Sequence, residues 1–270
     1  MTLVSDVIDL MNELAPPNLA EEWDNSGLQA GSPAWPVKKI MVALDATPAV
    51  INNACQQNAD LLITHHPFIF KAMKQLDYST PLGRMIETAM NHRLSIFSAH
   101  TNLDWTAGGL NDQFAEMIGL KNVSVLVAPA QAAEASPESG QGRMGELEPP
   151  LDLAGFAGNI KAALKLQTLR VAGPFDMMVS RVAVCTGGGS GLMDAFFASK
   201  AHVFVTGDLR YHDARNAELY NRGLIDAGHF ATEHIVVNLL CRKLYGGLAE
   251  KGHKVSVIGS DKESEPFINF

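Results

Sequence analysis

Residues 61–67 have the sequence Leu61-Leu62-Ile63-Thr64-His65-His66-Pro67. Four residues of strand character lead directly into two histidines and a proline, which predicts a short buried strand that ends at the histidine pair. In open α/β sheets the strand ends are where ligands bind, and neutral imidazole is the commonest protein metal ligand. The pair is therefore either part of a metal centre or two loop histidines that cap a turn.

Short strands alternate with helices on both sides of this stretch. Strands are predicted over 39–44, 61–64, 94–99, 123–127, 169–171, 182–185, 203–206, 224–227 and 255–258. Helices are predicted over 3–14, 48–58, 82–91, 110–118, 151–166, 192–199, 211–220 and 230–245. This alternation predicts a mostly parallel, layered α/β architecture. Residues 128–150 are rich in Ala, Gln, Glu, Ser, Pro and Gly, which predicts a linker or exposed loop.

The two halves of the chain repeat a pattern when they are compared without gaps. At a shift of 142 positions, Leu62-Ile63-Thr64 matches Phe204-Val205-Thr206, and His65-His66 matches Gly207-Asp208. At a shift of 129 positions, Ile96 matches Ile225, His100 matches His229, and Asp104 matches Glu233. Both halves thus carry a strand followed by His-x-x-x-(Asp/Glu). We predict an internal duplication that gives two similar α/β lobes related by a pseudo-twofold, with their strand-end sites facing one another.

The polar residues at the predicted strand ends have the chemistry of a metal site. They are His65, His66, His100, Asp104, His229 and Glu233. Imidazoles with carboxylates suit divalent transition metals, and no thiolate is at hand to favour a soft site. Five or six ligands are too many for one tetrahedral ion, and they suit two ions held by a bridging carboxylate.

The spacing of these residues leaves some alternatives open. His229 and Glu233 share a face if the segment is helical, but they are also explained as a helix cap and a favourable dipole charge. His100 and Asp104 have the same spacing, although Thr101-Asn102 favours a loop there. The other histidines are expected at the surface (His92, His253) or at most beside the ligands (His202, His212, His234).

Two further segments each admit two explanations. The turn Gly187-Gly188-Gly189-Ser190-Gly191 follows a strand and opens a helix, so it either cradles a phosphate or simply needs positive φ angles. It lacks the Lys-Ser/Thr of a P-loop and the spacing of GxGxxG. The segment Glu21–Leu28 is acidic, aromatic and punctuated by glycine, and it is either the wall of a site or a surface loop with a packed Trp23.

Composition excludes several classes of protein. The chain has 270 residues, 47% of them apolar, and a formal net charge of -8, which disfavours a nucleic-acid binder. Cys55, Cys185 and Cys241 form no CxxC motif or disulfide framework, which suits a reducing compartment. No basic region precedes the first apolar residues, and no apolar stretch reaches the ~20 residues of a membrane helix. We therefore expect a cytoplasmic protein.

Six short motifs together resemble one known family. They are WDNSGL at 23–28, ITHHP at 63–67, AHTNLD at 99–104, GGSG at 188–191, TGD at 206–208 and GHFATE at 228–233. These are similar to the signatures of the NGG-interacting-factor-3-like (Nif3-like) family, which includes the GTP cyclohydrolase I type 2 homologues, or YbgI-like proteins. The resemblance covers essentially the whole chain, and the set of motifs is highly specific.

The resemblance implies a Nif3-like fold of two three-layer α/β lobes and a dinuclear metal centre. The implied ligands are His65, His66, Asp104, His229 and Glu233, with Glu233 as the bridge. His100 is implied near the centre and is a candidate for proton transfer. The family also forms toroidal hexamers, and some members carry a large extra domain. Here we expect a first lobe over 1–127, a connecting segment over 128–180 without that domain, and a second lobe over 181–270.

Two functions remain as hypotheses. The first is a metal-dependent hydrolase with two divalent ions (Zn, Mn, Fe, Co or Ni) that acts on a nucleotide or phosphorylated small molecule, with GTP ring opening as the example the family suggests. His100 or the loop with Glu22 and Asp24 would then carry protons. The second is a non-enzymatic metal-binding, regulatory or scaffold protein. A measurement of the metal bound per chain, combined with a test of nucleotide turnover, distinguishes the two hypotheses.

Overall fold

The computed structural model describes residues 1–129 and 136–268, and it has two β-sheets with flanking helices. The predicted α/β fold class is confirmed. The chain divides into a first unit, Met1–Leu103 with Val236–Phe270, and a second unit, Asp104–Ile235. The second unit is thus inserted into the sequence of the first, and these bounds differ from the lobes expected over 1–127 and 181–270.

Eleven strands and ten α-helices are found in the described residues. The strands are β1 (Gly27–Ala30), β2 (Lys39–Ala43), β3 (Leu61–Thr64), β4 (Ser95–Ser98), β5 (Lys121–Val127), β6 (Gln141–Asp152), β7 (Arg170–Ala172), β8 (Met178–Gly188), β9 (Val203–Gly207), β10 (Gly223–Asp226) and β11 (Ser256–Gly259). The helices are α1 (Val4–Leu14), α2 (Pro48–Gln56), α3 (Pro81–Asn91), α4 (Thr101–Trp105), α5 (Leu110–Met117), α6 (Leu153–Ala163), α7 (Met193–Ala198), α8 (Tyr211–Leu219), α9 (His229–Glu233) and α10 (Ile235–Glu250).

The sheet of the first unit has the strand order β1-β4-β3-β2-β11. Strands β11, β2, β3 and β4 are parallel, and β1 adds an antiparallel edge. Helices α2 and α3 each begin with a proline after a threonine cap, because proline suits the first turn and the threonine oxygen accepts an otherwise unpaired N–H. Both helices pack on one face of this sheet, in a buried cluster that includes Leu62, Ile51 and Ile86.

The sheet of the second unit has the strand order β5-β6-β8-β9-β10-β7. Its middle strands β8, β9 and β10 are parallel, and β6 and β7 flank them in antiparallel pairing. Alternate residues of these strands belong to two separate buried clusters. Val182 and Val203 pack with Phe156, while Phe204 packs with Phe196. Helices therefore cover both faces, which explains why these strands are continuous apolar runs.

The prediction of a linker over 128–150 is wrong for residues 141–150, which belong to strand β6. Strand β6 pairs there with both β5 and β8, while residues 130–135 lie outside the described residues. The side chain of Arg143, 1% exposed, is buried in this strand and donates to both oxygens of Asp112 at 2.6 and 2.7 Å. Composition alone does not predict this strand, because the partner that stabilises its buried arginine lies far along the chain.

Two helical predictions also need correction. The expected loop after His100 is helix α4, whose first residue, Thr101, donates from its amide and hydroxyl to the carboxylate of Asp24 at 3.1 and 2.6 Å. The expected single helix over 230–245 is two helices that meet at His234. Thr232 donates its hydroxyl to the carbonyl of Gly228 at 2.9 Å, a contact that commonly bends helices.

Within the described part of the chain, we find no helix that combines the length and apolarity needed to cross a membrane.

Candidate functional site

Three histidines lie together at the strand ends of the first unit. His65 and His66 follow β3, and His100 follows the neighbouring parallel strand β4. One ligand atom from each lies within 4.8 Å of the others, and the ring centroids are separated by 5.2 to 5.6 Å. This clustering follows from the parallel sheet, because the carboxyl ends of neighbouring parallel strands meet at one edge. We call these three residues the histidine cluster.

Each imidazole of the histidine cluster is held by an oxygen at Nδ1. His65 bonds the carbonyl of Ala99 at 2.8 Å, His66 bonds Asp45 at 2.7 Å, and His100 bonds Asp24 at 2.8 Å. Carbonyl and carboxylate oxygens only accept hydrogen bonds, so Nδ1 is the donor and carries a proton. In the neutral ring the lone pair is then on Nε2. Metal-binding histidines are typically anchored in this way, so the cluster fits a divalent metal ion.

Asp24 is the most constrained of these anchors. Its side chain has no exposed surface, and it bonds His100, Thr101 and the hydroxyl of Ser26. Burial raises its pKa, but the hydrogen bonds from these three residues outweigh burial and lower it strongly. Asp24 is therefore a fixed anion, which makes it suited to orienting His100.

In the second unit, His229 and Glu233 lie one turn apart on α9, as their spacing predicted. The distance from His229 Nε2 to Glu233 Oε2 is 2.8 Å, and His229 Nδ1 bonds Asp208 at 2.7 Å. The bond to Glu233, together with the charges of both acids, outweighs burial and raises the pKa of His229 to about 9. His229 Nε2 therefore donates a hydrogen bond to the carboxylate of Glu233. The ligand atoms of His229 and Glu233 face each other across this hydrogen bond, and a divalent cation can bind there in place of the proton.

The charges of Asp104 and Glu233 affect the pKa of the Cys185 thiol. Burial raises the pKa of Cys185 far above its usual range, and the charges of the two carboxylates raise it further. Thiolate is the reactive form of cysteine, so Cys185 is inert as a nucleophile. The chemistry of this unit therefore depends on its imidazole and carboxylates.

The glycine-rich turn makes room for Glu233. Gly187 has a φ of +65°, and a Cβ added there would lie 1.9 Å from Glu233 Oε1. Its N–H donates to the hydroxyl of Thr232 on α9 at 2.9 Å. The conformational explanation of the glycines is thus supported at Gly187, where a side chain would collide with the carboxylate.

The remaining histidines have local partners. His92 is exposed and bonds the carbonyl of Thr88 on its own helix at 2.9 Å, and His253 bonds Thr2 at 2.9 Å. His202 lies 3.2 Å from the amide of Ser180, His212 packs edge-on to Tyr211, and His234 stacks on Phe230.

Sequence reasoning missed the roles of Asp45 and Asp208 as anchors of imidazole rings. Asp45 follows β2 and Asp208 follows β9, and each contacts a histidine on another strand end. The available signal was a carboxylate within two residues of the end of a strand that neighbours a histidine-bearing strand.

The comparisons with known proteins agree with this fold. The sequence model of the Duf34/NIF3 (NGG1p interacting factor 3) family matches residues 2–266. A protein of Clostridium acetobutylicum named GTP cyclohydrolase 1 type 2 homolog is 34% identical, over 98% of this chain and 97% of its own. A protein of the same name from Clostridium perfringens is 31% identical over 98% of each chain. The crystal structure of a Bacillus cereus protein related to NIF3 is similar at a TM-score of 0.92 and 25% identity, covering 100% of this chain and 99% of that one.

The fold and the site together define a class of protein. Proteins of this class have a two-sheet α/β fold that carries imidazoles and carboxylates at its strand ends. The chain belongs to the Duf34/NIF3 family. The resemblance inferred from the six sequence motifs is therefore confirmed, and so is the Nif3-like fold.

Proposed function

We propose that this protein is a metal-dependent hydrolase acting on a nucleotide or a phosphorylated small molecule. The observation that carries the proposal is the histidine cluster, whose three rings are anchored at Nδ1 and bring their ligand atoms within 4.8 Å of one another. Anchoring at Nδ1 fixes the lone pair on Nε2, which suits His65 and His66 as metal ligands and His100 as a proton acceptor beside them. The curated relatives named GTP cyclohydrolase 1 type 2 homolog support a nucleotide as the substrate.

The proposed centre holds two divalent ions. Its proposed ligands are His65, His66, Asp104, His229 and Glu233, with Glu233 as the bridge. A bound divalent ion of this kind lowers the pKa of a coordinated water and holds substrate oxygens. The imidazole and carboxylate donors suit Zn, Mn, Fe, Co or Ni.

The protein's own groups are proposed to position the reaction and carry the proton. Asp24 keeps the proton of His100 on Nδ1, so Nε2 can accept a proton from the attacking water. Asp45 and Asp208 fix the ring planes of His66 and His229. We further propose a homohexamer in the cytoplasm, which mass measurement by light scattering and cell fractionation test.

The metal assignment is tested by counting metal in purified variants. We expect about two metal ions per wild-type chain by mass spectrometry, and a marked loss in His65→Ala, His66→Ala and Glu233→Ala. His92→Ala is the matched control, because His92 is exposed and bonds only its own helix among the contacts described. Wild-type metal content in all three site variants would sink the assignment.

The hydrolase activity is tested separately on a panel of nucleotides. Turnover should require added metal after chelation and should be lost in His66→Ala. Stoichiometric metal without turnover on any nucleotide would instead favour the alternative, a non-enzymatic metal-binding or scaffold protein.

A further inference from the structure

We propose that Trp23 and Phe70, the aromatic pair, form a stacking surface for the planar ring of a nucleotide beside the histidine cluster. This inference rests on the proposed function and names the part of the substrate that the chain recognises.

The aromatic pair is exposed and contiguous. Trp23 is 60% exposed, Phe70 is 55% exposed, and their ring centroids are 6.1 Å apart. Large aromatic rings gain most when they are removed from water, so two neighbouring rings left at the surface mark a binding surface rather than core packing.

The aromatic pair also lies against the histidine cluster. The centroid of Trp23 is 5.9 Å and that of Phe70 is 6.4 Å from the ring of His100, both in edge-on geometry. A ligand ring on this surface therefore lies on aromatic side chains that contact His100. The atoms attached to that ring can then reach the groups proposed to act on them.

Hydrogen bonds hold the two aromatic residues in place. Asn25 donates its side-chain amide to the carbonyl of Ile69 at 2.6 Å, and Ile69 donates its N–H to the side chain of Gln29 at 3.2 Å. These bonds join the loop that carries Trp23 to the residue before Phe70. Asp24, next to Trp23, is fixed by His100 and Thr101. A surface arranged in advance loses less entropy on binding.

The spacing of the aromatic pair decides how a ring would bind. A ring held between Trp23 and Phe70 would need roughly 7 Å between parallel planes, which is two carbon contact distances. The observed centroids are 6.1 Å apart and the planes are inclined by 55°. The ligand ring therefore stacks on one face of the more exposed Trp23, and Phe70 contacts its edge.

Charges of both signs lie beside the aromatic pair. Lys71 and Lys74 are exposed in the segment that follows Phe70, and the same segment carries one acid, Asp77, before α3. Glu21, Glu22 and Asp24 flank Trp23, so the two lysines lie only on the Phe70 side of the pair. A planar ring stacked on Trp23, with an attached phosphate on the side of Lys71 and Lys74, fits the aromatic and the basic side chains, and a nucleotide is the chemical class that has both groups.

The test measures the affinity of metal-loaded protein for GMP, AMP and ribose 5-phosphate by calorimetry. GMP and AMP carry the ring and a phosphate, while ribose 5-phosphate carries the phosphate alone. We expect Trp23→Ala to weaken GMP or AMP binding about tenfold or more, with little change for ribose 5-phosphate. Phe70→Ala should weaken it less, and Trp23→Phe should restore most of the affinity. The matched control is Phe175→Ala, because Phe175 is equally exposed at 61% and lies in the other unit.

Three results would overturn this inference. One is equal affinity of wild type, Trp23→Ala and Phe70→Ala for both nucleotides. Another is no preference of wild type for the nucleotides over ribose 5-phosphate. The third is an altered assembly mass with unchanged nucleotide affinity, which would make the aromatic pair a subunit contact. Trp23-dependent binding without metal-dependent turnover would contradict the hydrolase proposal and leave the stacking surface standing.

Discussion

The two units build three parallel strands in the same register. In the first unit Ile40 pairs with Leu61, and in the second unit Val182 pairs with Val203. These are equivalent positions under the shift of 142 found in the sequence. Each unit also adds an antiparallel edge strand beside its third parallel strand, β1 beside β4 and β7 beside β10. The shared strand pairing supports the predicted internal duplication.

The third strands correct the sequence alignment by one residue. Leu62 pairs with Ile96, and Phe204 pairs with Leu224, so the counterpart of Ile96 is Leu224 and not Ile225. The second unit has one additional residue before its histidine, and this is Gly228, with a φ of +87°. A gapless shift cannot detect an insertion between a strand and a functional residue.

The units differ at the strand ends, where chemistry is located. The first unit has Asp45, His65 and His66 at positions where the second has Gly187, Gly207 and Asp208. In the second unit the glycine leaves room for Glu233, and the aspartate orients His229. One scaffold thus carries mainly imidazoles in one unit and carboxylates in the other.

The largest expected effect is on strand β6, which pairs antiparallel with β8, whereas the first unit has the parallel strand β11 beside β2. Asp112→Ala leaves the buried guanidinium of Arg143 without its carboxylate, and breaking a buried pair costs about 3–5 kcal/mol. Urea denaturation measures the loss. The control is Glu218→Ala, which breaks the exposed pair with Arg215 and should cost below about 1 kcal/mol. Equal effects would mean that β6 is not anchored by Arg143.

The next largest effect is expected at Asp45 and Asp208, the carboxylates that anchor an imidazole in each unit. Asp45→Asn and Asp208→Asn remove the negative charge that orients His66 and His229, and each should weaken metal binding about 10–100-fold. Competition with a chelator measures the affinity, and the exposed Asp176→Asn is the control. If only one variant weakens binding, the two anchors are not equivalent.

A smaller effect is expected at Gly187, the counterpart of Asp45. Gly187→Ala places a side chain at positive φ and against Glu233, which should cost about 1–2 kcal/mol in backbone strain and also reduce bound metal. Gly119→Ala is the matched control, because Gly119 has a φ of +80° and nothing within 4 Å of an added Cβ. Metal loss in both variants would contradict a specific role for Gly187.

The smallest effect concerns the pH dependence of Asp213, at the start of α8. Burial raises the pKa of Asp213, but bonds from Arg210 and Ser190 outweigh burial and lower it. Its stabilising contribution is therefore present above the unfolded pKa of about 3.9 and is lost as pH falls through the folded value. Asp213→Asn should cost about 1 kcal/mol near neutral pH, and the gap to wild type should narrow toward pH 3, by thermal unfolding at each pH. A gap that is constant with pH would rule out a charge effect.

The sequence was sufficient for the parallel strands and the strand-end histidines. Apolar runs such as 61–64 bounded by polar residues carry a local signal, and every predicted strand overlaps an observed one. Strand β6 and helix α4 carried no such signal. Their stability comes from partners far along the chain, Asp112 for Arg143 and Asp24 for Thr101. The anchors of the imidazoles were missed for the same reason, since Asp24, Asp45 and Asp208 act across strand ends.

The division of the first unit into two chain segments has a consequence for synthesis on the ribosome. Strand β2 acquires its partner β11 only after the whole of Asp104–Ile235 has been translated. Until then the nascent chain exposes the β2 edge, whose unpaired N–H and C=O groups can pair with another chain. The second unit is continuous and has no such delay. A growing chain therefore completes its later-translated unit before its earlier one, and the period of greatest aggregation risk belongs to the sheet that carries the histidine cluster.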